Sequence, residues 1–123
     1  MDANDADHDR CASFFDDLDG PLVVPAPVIV ELDWLGERRR VPARSVVLAG
    51  VLDGSLAVED LTTDDYERVV QLCDKYDDLP LGFVDAAVIA LAERFRERII
   101  ATLDHRHFAV VRPRHVKAFE LVP

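Results

Sequence analysis

A helix that is apolar on nearly every side, Phe83 to Arg96, limits what this chain can fold into. One apolar stripe runs along it, and further apolar residues fill the other faces of its first turns: Val84, Ala87, Val88, Leu91 and Phe95, then Ile89, Ala90 and Ala92. A helix that is hydrophobic all round is buried. The pattern therefore predicts a layered domain in which other elements cover this helix.

Short apolar strands alternate with amphipathic helices along the rest of the chain. The predicted strands are Leu22–Pro25, Leu56–Glu59, Ile99–Leu103, Phe108–Val111 and Phe119–Val122, and the predicted helices are Arg10–Leu18, Pro27–Leu35, Pro42–Leu52 and a segment from its cap at Thr62 or Thr63 to Tyr76. Gly36 and Gly54 are expected to end helices, and residues 37–40 (ERRR) to form a solvated turn. The order predicts an α/β fold, with a parallel sheet flanked by helices, in a single domain spanning residues 1–123.

The charge balance restricts how this chain could hold nucleic acid. Its 123 residues include 14 Lys and Arg against 24 Asp and Glu, a formal net charge of −10. Phosphate backbones are bound mainly by cationic side chains. A role in RNA binding would therefore need bound metal ions, arginine clusters or a basic partner, and the alternative use of the acid is solubility.

Nothing in the sequence indicates export or a membrane. The N-terminus is acidic and lacks the apolar segment of a signal peptide. The longest apolar run, Leu22–Val30, contains Pro25 and Pro27 and is too short to cross a bilayer. Cys11 and Cys73 belong to no motif and are expected to be reduced. The sequence predicts a cytoplasmic protein.

Two carboxylates stand out by their surroundings. Asp85 falls in an apolar helical run, where a carboxylate far from any cation would be costly or protonated. Asp104 follows the strand 99–103 directly, at the sheet edge where open α/β folds bind ligands. Thr102 points to the same side as Asp104 because side chains alternate along a strand. Taken singly, Asp85 could be a helix cap and Asp104 a turn residue.

A third acid, Glu31, lies in the helix that follows another strand. It is either a favourable carboxylate near a helix N-terminus or a ligand aimed at the same sheet edge. Three converging carboxylates suit an oxygen-preferring ion such as Mg²⁺ or Mn²⁺. A water on such an ion can be activated to attack a phosphodiester. A zinc site is disfavoured because the histidines lie in polar segments.

Three segments together resemble the PIN domain in the form found in VapC toxins of toxin–antitoxin pairs: Val24–Leu32 (VPAPVIVEL), Leu79–Ala86 (LPLGFVDA) and Ala101–Phe108 (ATLDHRHF). The resemblance runs from about Ala6 to the end. It implies a three-layer PIN fold and a Mg²⁺-dependent endonuclease that hydrolyses RNA, commonly transfer RNA, as a homodimer held inactive by an antitoxin. It also implies roles for five residues: Glu31, Asp85 and Asp104 as catalytic metal-site acids, Thr102 as a support and Arg106 as a phosphate contact.

The sequence departs from the PIN pattern at the family's first strand, which ends in Asp-Thr or Asp-Ser and is missing here. In the PIN fold this N-terminal strand is central, so its neighbours are expected to have unpaired edges. Either the true start lies upstream, or the chain is a truncated and inactive relative. The complete patterning of the remaining elements favours the first alternative.

Three functions follow from these observations. The first is a Mg²⁺-dependent endoribonuclease toxin. The second is a non-catalytic PIN-like module that binds an antitoxin and dimerises, inactive because the first acid is absent. The third is a small α/β domain for another ligand, in which the acids only cap helices and form turns.

Overall fold

The computed structural model describes Asp9, Ser13, residues 16–102 and residues 105–123. Its helices are α1 (Ala26–Arg39), α2 (Ala43–Asp53), α3 (Thr63–Lys75), α4 (Phe83–Arg94) and α5 (Arg106–Val110), and its strands are β1 (Leu22–Pro25), β2 (Leu56–Glu59), β3 (Ile99–Ala101) and β4 (Glu120–Val122). The chain divides into a larger unit, residues 20–91, and a smaller unit, residues 1–19 with 92–123. Asp9, Ser13 and Asp16 are helical, and the other residues of the first predicted helix up to Phe15 lie outside the described part.

The larger unit contains a parallel strand pair joined by two helices. β1 and β2 run side by side, with Leu22 opposite Leu56 and Pro25 opposite Glu59. The N–H of Leu22 donates to the carbonyl of Ser55 at 3.0 Å. The connection between the strands consists of α1 and α2, as a parallel crossover requires. Both strands lie where the sequence predicted them.

Helix α1 is longer than predicted because Gly36 does not end it. Gly36 is buried inside the helix, and a Cβ added there would lie 2.6 Å from the Cβ of Ala43. The glycine therefore allows the start of α2 to approach the last turns of α1. The helix ends at Arg40, which has φ 55° and ψ 42°. The N–H of Arg40 donates to Glu37 and the N–H of Val41 to Gly36. The predicted solvated turn 37–40 is therefore wrong, since it is the last turn of a helix and its cap.

Helix α3 begins with a reciprocal cap. The N–H of Asp65 donates to the Thr62 hydroxyl at 3.2 Å, and the N–H of Thr62 donates to the Asp65 carboxylate at 2.9 Å. The pair satisfies two donors that a helix start otherwise leaves open. Of the two threonines that the sequence analysis considered, Thr62 is therefore the one that caps the helix.

Helix α4 confirms the central sequence prediction. Its buried side chains are Ala86, Ala87, Ile89, Ala90, Leu91 and Ala92, with Ile89 fully enclosed. The helix ends at Arg94, two residues earlier than predicted. Its C-terminal segment repeats the pattern at the end of α1. Arg96 has φ 56°, and its N–H donates to the Glu93 carbonyl at 3.1 Å.

The smaller unit contains the second parallel pair, β3 with β4, in which Ile99 lies opposite Glu120 and Ala101 opposite Val122. The predicted strand at Phe108–Val111 is wrong, because α5 occupies most of it. Phe108 and Val111 are both buried and three residues apart, which is helical spacing. A short apolar run fits either element from sequence alone, and here the helical one forms.

The structure thus confirms an α/β fold with parallel strands and helices. Instead of the one sheet predicted, the described residues form two separate two-stranded parallel sheets. In the described part of the chain, no helix combines the length and the apolar character needed to cross a membrane.

Candidate functional site

Glu31 borders a groove in the larger unit. The groove has a volume of about 710 Å³ and is lined mainly by apolar and aromatic side chains, with two acids: Ala26, Pro27, Val30, Glu31, Trp34, Asp60, Leu61, Tyr66, Phe83 and Val84. Glu31 lies on α1, where Pro27 supplies the preset backbone of the first turn. Its side chain is exposed and makes no hydrogen bond or ion pair within the described part of the chain. Its carboxylate is therefore open to a ligand.

Asp85 lies in the first turn of α4. The carbonyl of Gly82 accepts the N–H of Ala86 at 3.0 Å, so the helix proper starts at Phe83 and Asp85 is its third residue rather than its cap. The side chain of Asp85 is half-buried, and Ala86 and Ala87 behind it have no exposure. A carboxylate at this position is favoured by the helix dipole.

The two acids belong to elements that border the same groove. Val84, the residue before Asp85, lines the groove that Glu31 borders. The sequence placed Glu31 in a helix that follows a strand and Asp85 in an apolar helical run, and in the structure residues of both helices line one groove within the larger unit. Whether they act on one ligand stays a prediction.

Of the other three predicted site residues, Thr102 and Arg106 belong to the smaller unit. Asp104 lies outside the described residues, as does Leu103. Thr102 is half-buried, and its N–H donates to the carbonyl of Val122 at 2.8 Å. Arg106 is exposed and is the first residue of α5.

The donor chemistry near the groove can be compared with the ion that the sequence predicts. Within the described ranges, no group of three or more His, Cys, Asp or Glu side chains is placed to hold a metal ion. The acids that line or adjoin the groove, Glu31, Asp60 and Asp85, carry only carboxylate oxygens. Oxygen donors are the ligands of Mg²⁺ and Mn²⁺. The carboxylate oxygens of these acids therefore fit such an ion. A complete coordination shell would need further ligands besides these acids.

Sequence reasoning missed two residues on the groove-bearing helix. Trp34 lines the groove and is 53% exposed, and the guanidinium of Arg38 lies 4.7 Å from the centre of its indole ring. Glu31, Trp34 and Arg38 are spaced i, i+3 and i+7, so they share one face of α1. This spacing is the sequence signal that could have revealed them.

A second contact fixes the acids on α1. Arg44 of α2 donates to Asp33 at 2.6 Å and also bonds to Glu37. The hydrogen bond from Arg44 lowers the pKa of Asp33 below its usual value. Asp33 and Glu37 are therefore paired with Arg44, whereas Glu31 on the same helix has no such partner within the described residues.

Comparisons with known proteins decide the family. The PIN domain model matches residues 2–112 of this chain. The chain belongs to the PIN domain family. This PIN domain is also 35% identical over 124 aligned positions to the ribonuclease VapC26 of Mycobacterium tuberculosis (strain ATCC 25618 / H37Rv), in an alignment that covers 100% of this chain and 92% of that protein. It is thus a homologue of VapC-type ribonuclease toxins, as its sequence motifs predicted.

A solved structure supports the same fold. The crystal structure of Mycobacterium tuberculosis VapC20, described as a Sarcin-Ricin loop cleaving toxin, superimposes with a TM-score of 0.67 at 23% identity. The match covers 80% of this chain and 76% of the VapC20 chain. At this identity the likeness shows the fold alone, and it confirms a PIN-like architecture.

Proposed function

We propose that this PIN domain is a Mg²⁺- or Mn²⁺-dependent endoribonuclease toxin that hydrolyses phosphodiester bonds of RNA. The observation that carries the proposal is Asp85, a half-buried carboxylate in the first turn of a buried helix. It occurs in a chain related over its full length to a ribonuclease. Glu31 borders the adjoining groove with an open carboxylate, which gives the site a second acid.

Each residue has a defined task in this proposal. Glu31, Asp85 and Asp104 would hold the ion through their carboxylate oxygens. When bound, the ion supplies Lewis-acid stabilisation of the phosphate charge and lowers the pKa of a coordinated water. α4 fixes Asp85 in the half-buried position described above, Thr102 supports Asp104 from two residues earlier, and Arg106 donates charge-assisted hydrogen bonds to a phosphate.

The proposed partners are an RNA substrate, transfer RNA being the candidate, a cognate antitoxin and a second copy of the chain. At a net charge of −10, the domain is expected to bind RNA weakly without metal and to prefer a basic partner. We propose that a basic antitoxin segment occupies the groove and donates an arginine to its acids. Unchanged antitoxin affinity after Glu31→Gln or Asp85→Asn would contradict this blocking arrangement.

The sheet is proposed to contain one more strand. β1 pairs with β2 alone within the described ranges. The N–H of Leu22 points to β2, so Val23 directs its N–H and carbonyl to the opposite edge. Such an edge is a ready template for pairing. We propose that a strand carrying the family's first aspartate pairs there, and that one PIN domain then spans the chain, in line with the match over residues 2–112.

Adding this strand distinguishes the alternative function from the proposed one. A non-catalytic module would bind an antitoxin and dimerise but leave RNA intact. Adding an apolar strand that ends in Asp-Thr to the N-terminus should then restore cleavage. Failure to restore it, in a folded protein, would contradict the role assigned to the strand.

Metal removal tests the proposed activity. RNA cleavage by the full chain should require Mg²⁺ or Mn²⁺, stop in EDTA and return when either ion is added back. Cleavage that persists at full rate in EDTA would contradict a metal-dependent mechanism. RNA that stays intact in all conditions, also after the strand is added, would contradict the ribonuclease proposal.

A further inference from the structure

The C-terminal half of α1 bears a cationic and aromatic surface on an otherwise acidic protein. Trp34, Arg38, Arg39 and Arg40, which we call the arginine surface, are all exposed. Its three consecutive arginines stand in a chain of net charge −10. A charge run of this kind would be an ordinary solvated turn, but here it forms the last turn and the cap of a helix.

Within the described residues, no carboxylate forms an ion pair with the arginines of this surface. Asp33 and Glu37 are the nearest acids on α1, and both are bonded to Arg44 of α2. Arg39 and Arg40 make no side-chain ion pair or hydrogen bond within the described part of the chain. The contact of Arg38 is with the indole of Trp34 rather than with a carboxylate. These guanidinium groups are available to an outside anion.

Trp34 and Arg38 together offer planar groups to a nucleobase. The guanidinium lies 4.7 Å from the indole centre, a cation–π distance that holds both groups in place. Unpaired bases stack on aromatic rings and on arginine planes. A duplex hides its bases, so a platform of this kind selects single strands.

The platform also lies next to the proposed catalytic acid. Glu31, Trp34 and Arg38 share one face of α1, and the rise of about 1.5 Å per residue places Arg38 about 10 Å along the axis from Glu31. A strand running along this face would meet Glu31, the platform and then the free arginines.

We propose that the arginine surface binds single-stranded RNA. An unpaired base stacks on Trp34 and Arg38, and neighbouring phosphates are bound by Arg39 and Arg40. The inference rests on the proposed ribonuclease function and adds a substrate subsite to it. A partner protein helix is the competing occupant. RNA is favoured because uncompensated guanidinium groups, which bind phosphates with bidentate hydrogen bonds, adjoin a stacking platform.

Trp34 is the only tryptophan of the chain, so fluorescence excited where tyrosine absorbs little reports on this part of α1, where the arginine surface meets the groove. The probe is oligo(U), titrated into the full chain in EDTA so that metal-dependent cleavage cannot occur. We expect oligo(U) to quench Trp34 and a duplex RNA of equal length to quench it much less. Fluorescence that does not respond to oligo(U), or responds equally to duplex, overturns the proposal. If a basic amphipathic peptide changes the fluorescence of Trp34 and oligo(U) does not, the surface binds a protein, and the RNA proposal is likewise overturned.

Variants test the two parts of the subsite by anisotropy of labelled oligo(U). Trp34→Ala should weaken binding by roughly 5- to 150-fold, the effect of losing one stacked base, and Trp34→Phe should retain most of the affinity. Arg39→Gln and Arg40→Gln should each lower the slope of log affinity against log salt by about 0.7, or roughly fivefold in affinity at 0.1 M salt.

Arg96→Gln is the matched control for Arg40→Gln. Arg96 is also exposed, follows a helix end and has φ 56° against 55° for Arg40. It should leave affinity and salt slope nearly unchanged. Equal losses of oligo(U) affinity in the two variants would show non-specific electrostatic attraction and would overturn the proposed subsite. Because binding is measured without metal, the two proposals can fail separately. RNA cleavage by a chain whose Trp34 does not respond to oligo(U) overturns this inference alone. Quenching of Trp34 with no cleavage in Mg²⁺, also after the strand is added, retains this inference and contradicts the nuclease proposal.

Discussion

Replacing Arg40 by glycine separates the contribution of this residue to stability from its proposed contribution to RNA binding. Arg40 ends α1 in the left-handed conformation, with φ 55° and ψ 42°. A residue with a Cβ adopts this conformation at a cost of about 1–2 kcal/mol, which glycine avoids. Glycine is the residue that helices most often place there, so the arginine is the more costly choice for folding.

The net effect of Arg40→Gly on stability can be worked out from opposing contributions. Relief of the left-handed backbone contributes about 1–2 kcal/mol. The greater backbone freedom of glycine in the unfolded chain removes about 0.5 kcal/mol. Loss of a cation at the helix C-terminus removes about 0.3 kcal/mol. The free energy of unfolding should therefore rise by about 0.2–1.2 kcal/mol, while affinity for oligo(U) falls.

Urea denaturation followed by far-UV circular dichroism measures this gain. Arg96→Gly is the control, because Arg96 has the same conformation and the same N–H bond to the carbonyl three residues earlier. It should gain similar stability without losing RNA affinity. Destabilisation of both variants would refute the argument from backbone conformation. A gain in stability with unchanged RNA affinity for Arg40→Gly would refute the assignment of Arg40 to RNA.

Three further predictions concern the larger unit. Thr62→Ala removes the reciprocal cap and should lower the free energy of unfolding by about 1 kcal/mol, whereas Thr63→Ala should cost less, as measured by urea denaturation. Ile89→Ala opens a cavity at a fully buried side chain and should cost about 2–5 kcal/mol in the same assay, against about 0.5–1.5 for Ile89→Val. Arg44→Met removes the bond that depresses the pKa of Asp33, so NMR titration should show that pKa rising. Because the pKa is depressed in the folded state, the stabilisation is present above the ordinary Asp pKa of 3.8 and is lost as pH falls below it. An unshifted Asp33 in the variant would contradict this cause.

The elements with the clearest patterns could be predicted from the sequence. β1 and β2 lie at the expected residues because each is a short apolar run bounded by turn residues. The burial of α4 followed from its apolar residues on all faces. Gly36 misled the prediction because it serves a close helix contact rather than a helix end, and such a contact depends on the neighbouring helix. Phe108 misled it because a five-residue helix is too short to show a period.

The candidate site was predictable only in part. Glu31 was chosen because its helix follows a strand and Asp85 because it lies in an apolar run near a helix start, and the structure places their helices at one groove. The arginine surface was missed for a different reason. Its significance depends on Arg44 of another helix engaging the local acids, and a one-dimensional pattern does not show which carboxylates are already engaged.

The most direct test of the central claim compares RNA cleavage by Asp85→Asn and Asp78→Asn in Mg²⁺ or Mn²⁺, in a form of the chain that cleaves. Both variants lose one negative charge, but Asp85 lies half-buried at the start of α4 whereas Asp78 is an exposed loop residue. Loss of a residue that only supports a metal ligand typically costs roughly 10- to 100-fold in activity. Asp85→Asn removes a proposed ligand itself and should therefore lower cleavage by at least about 100-fold with the fold intact, whereas Asp78→Asn should leave it unchanged. Equal cleavage by the wild type and both variants would contradict the assignment of Asp85 to the active site.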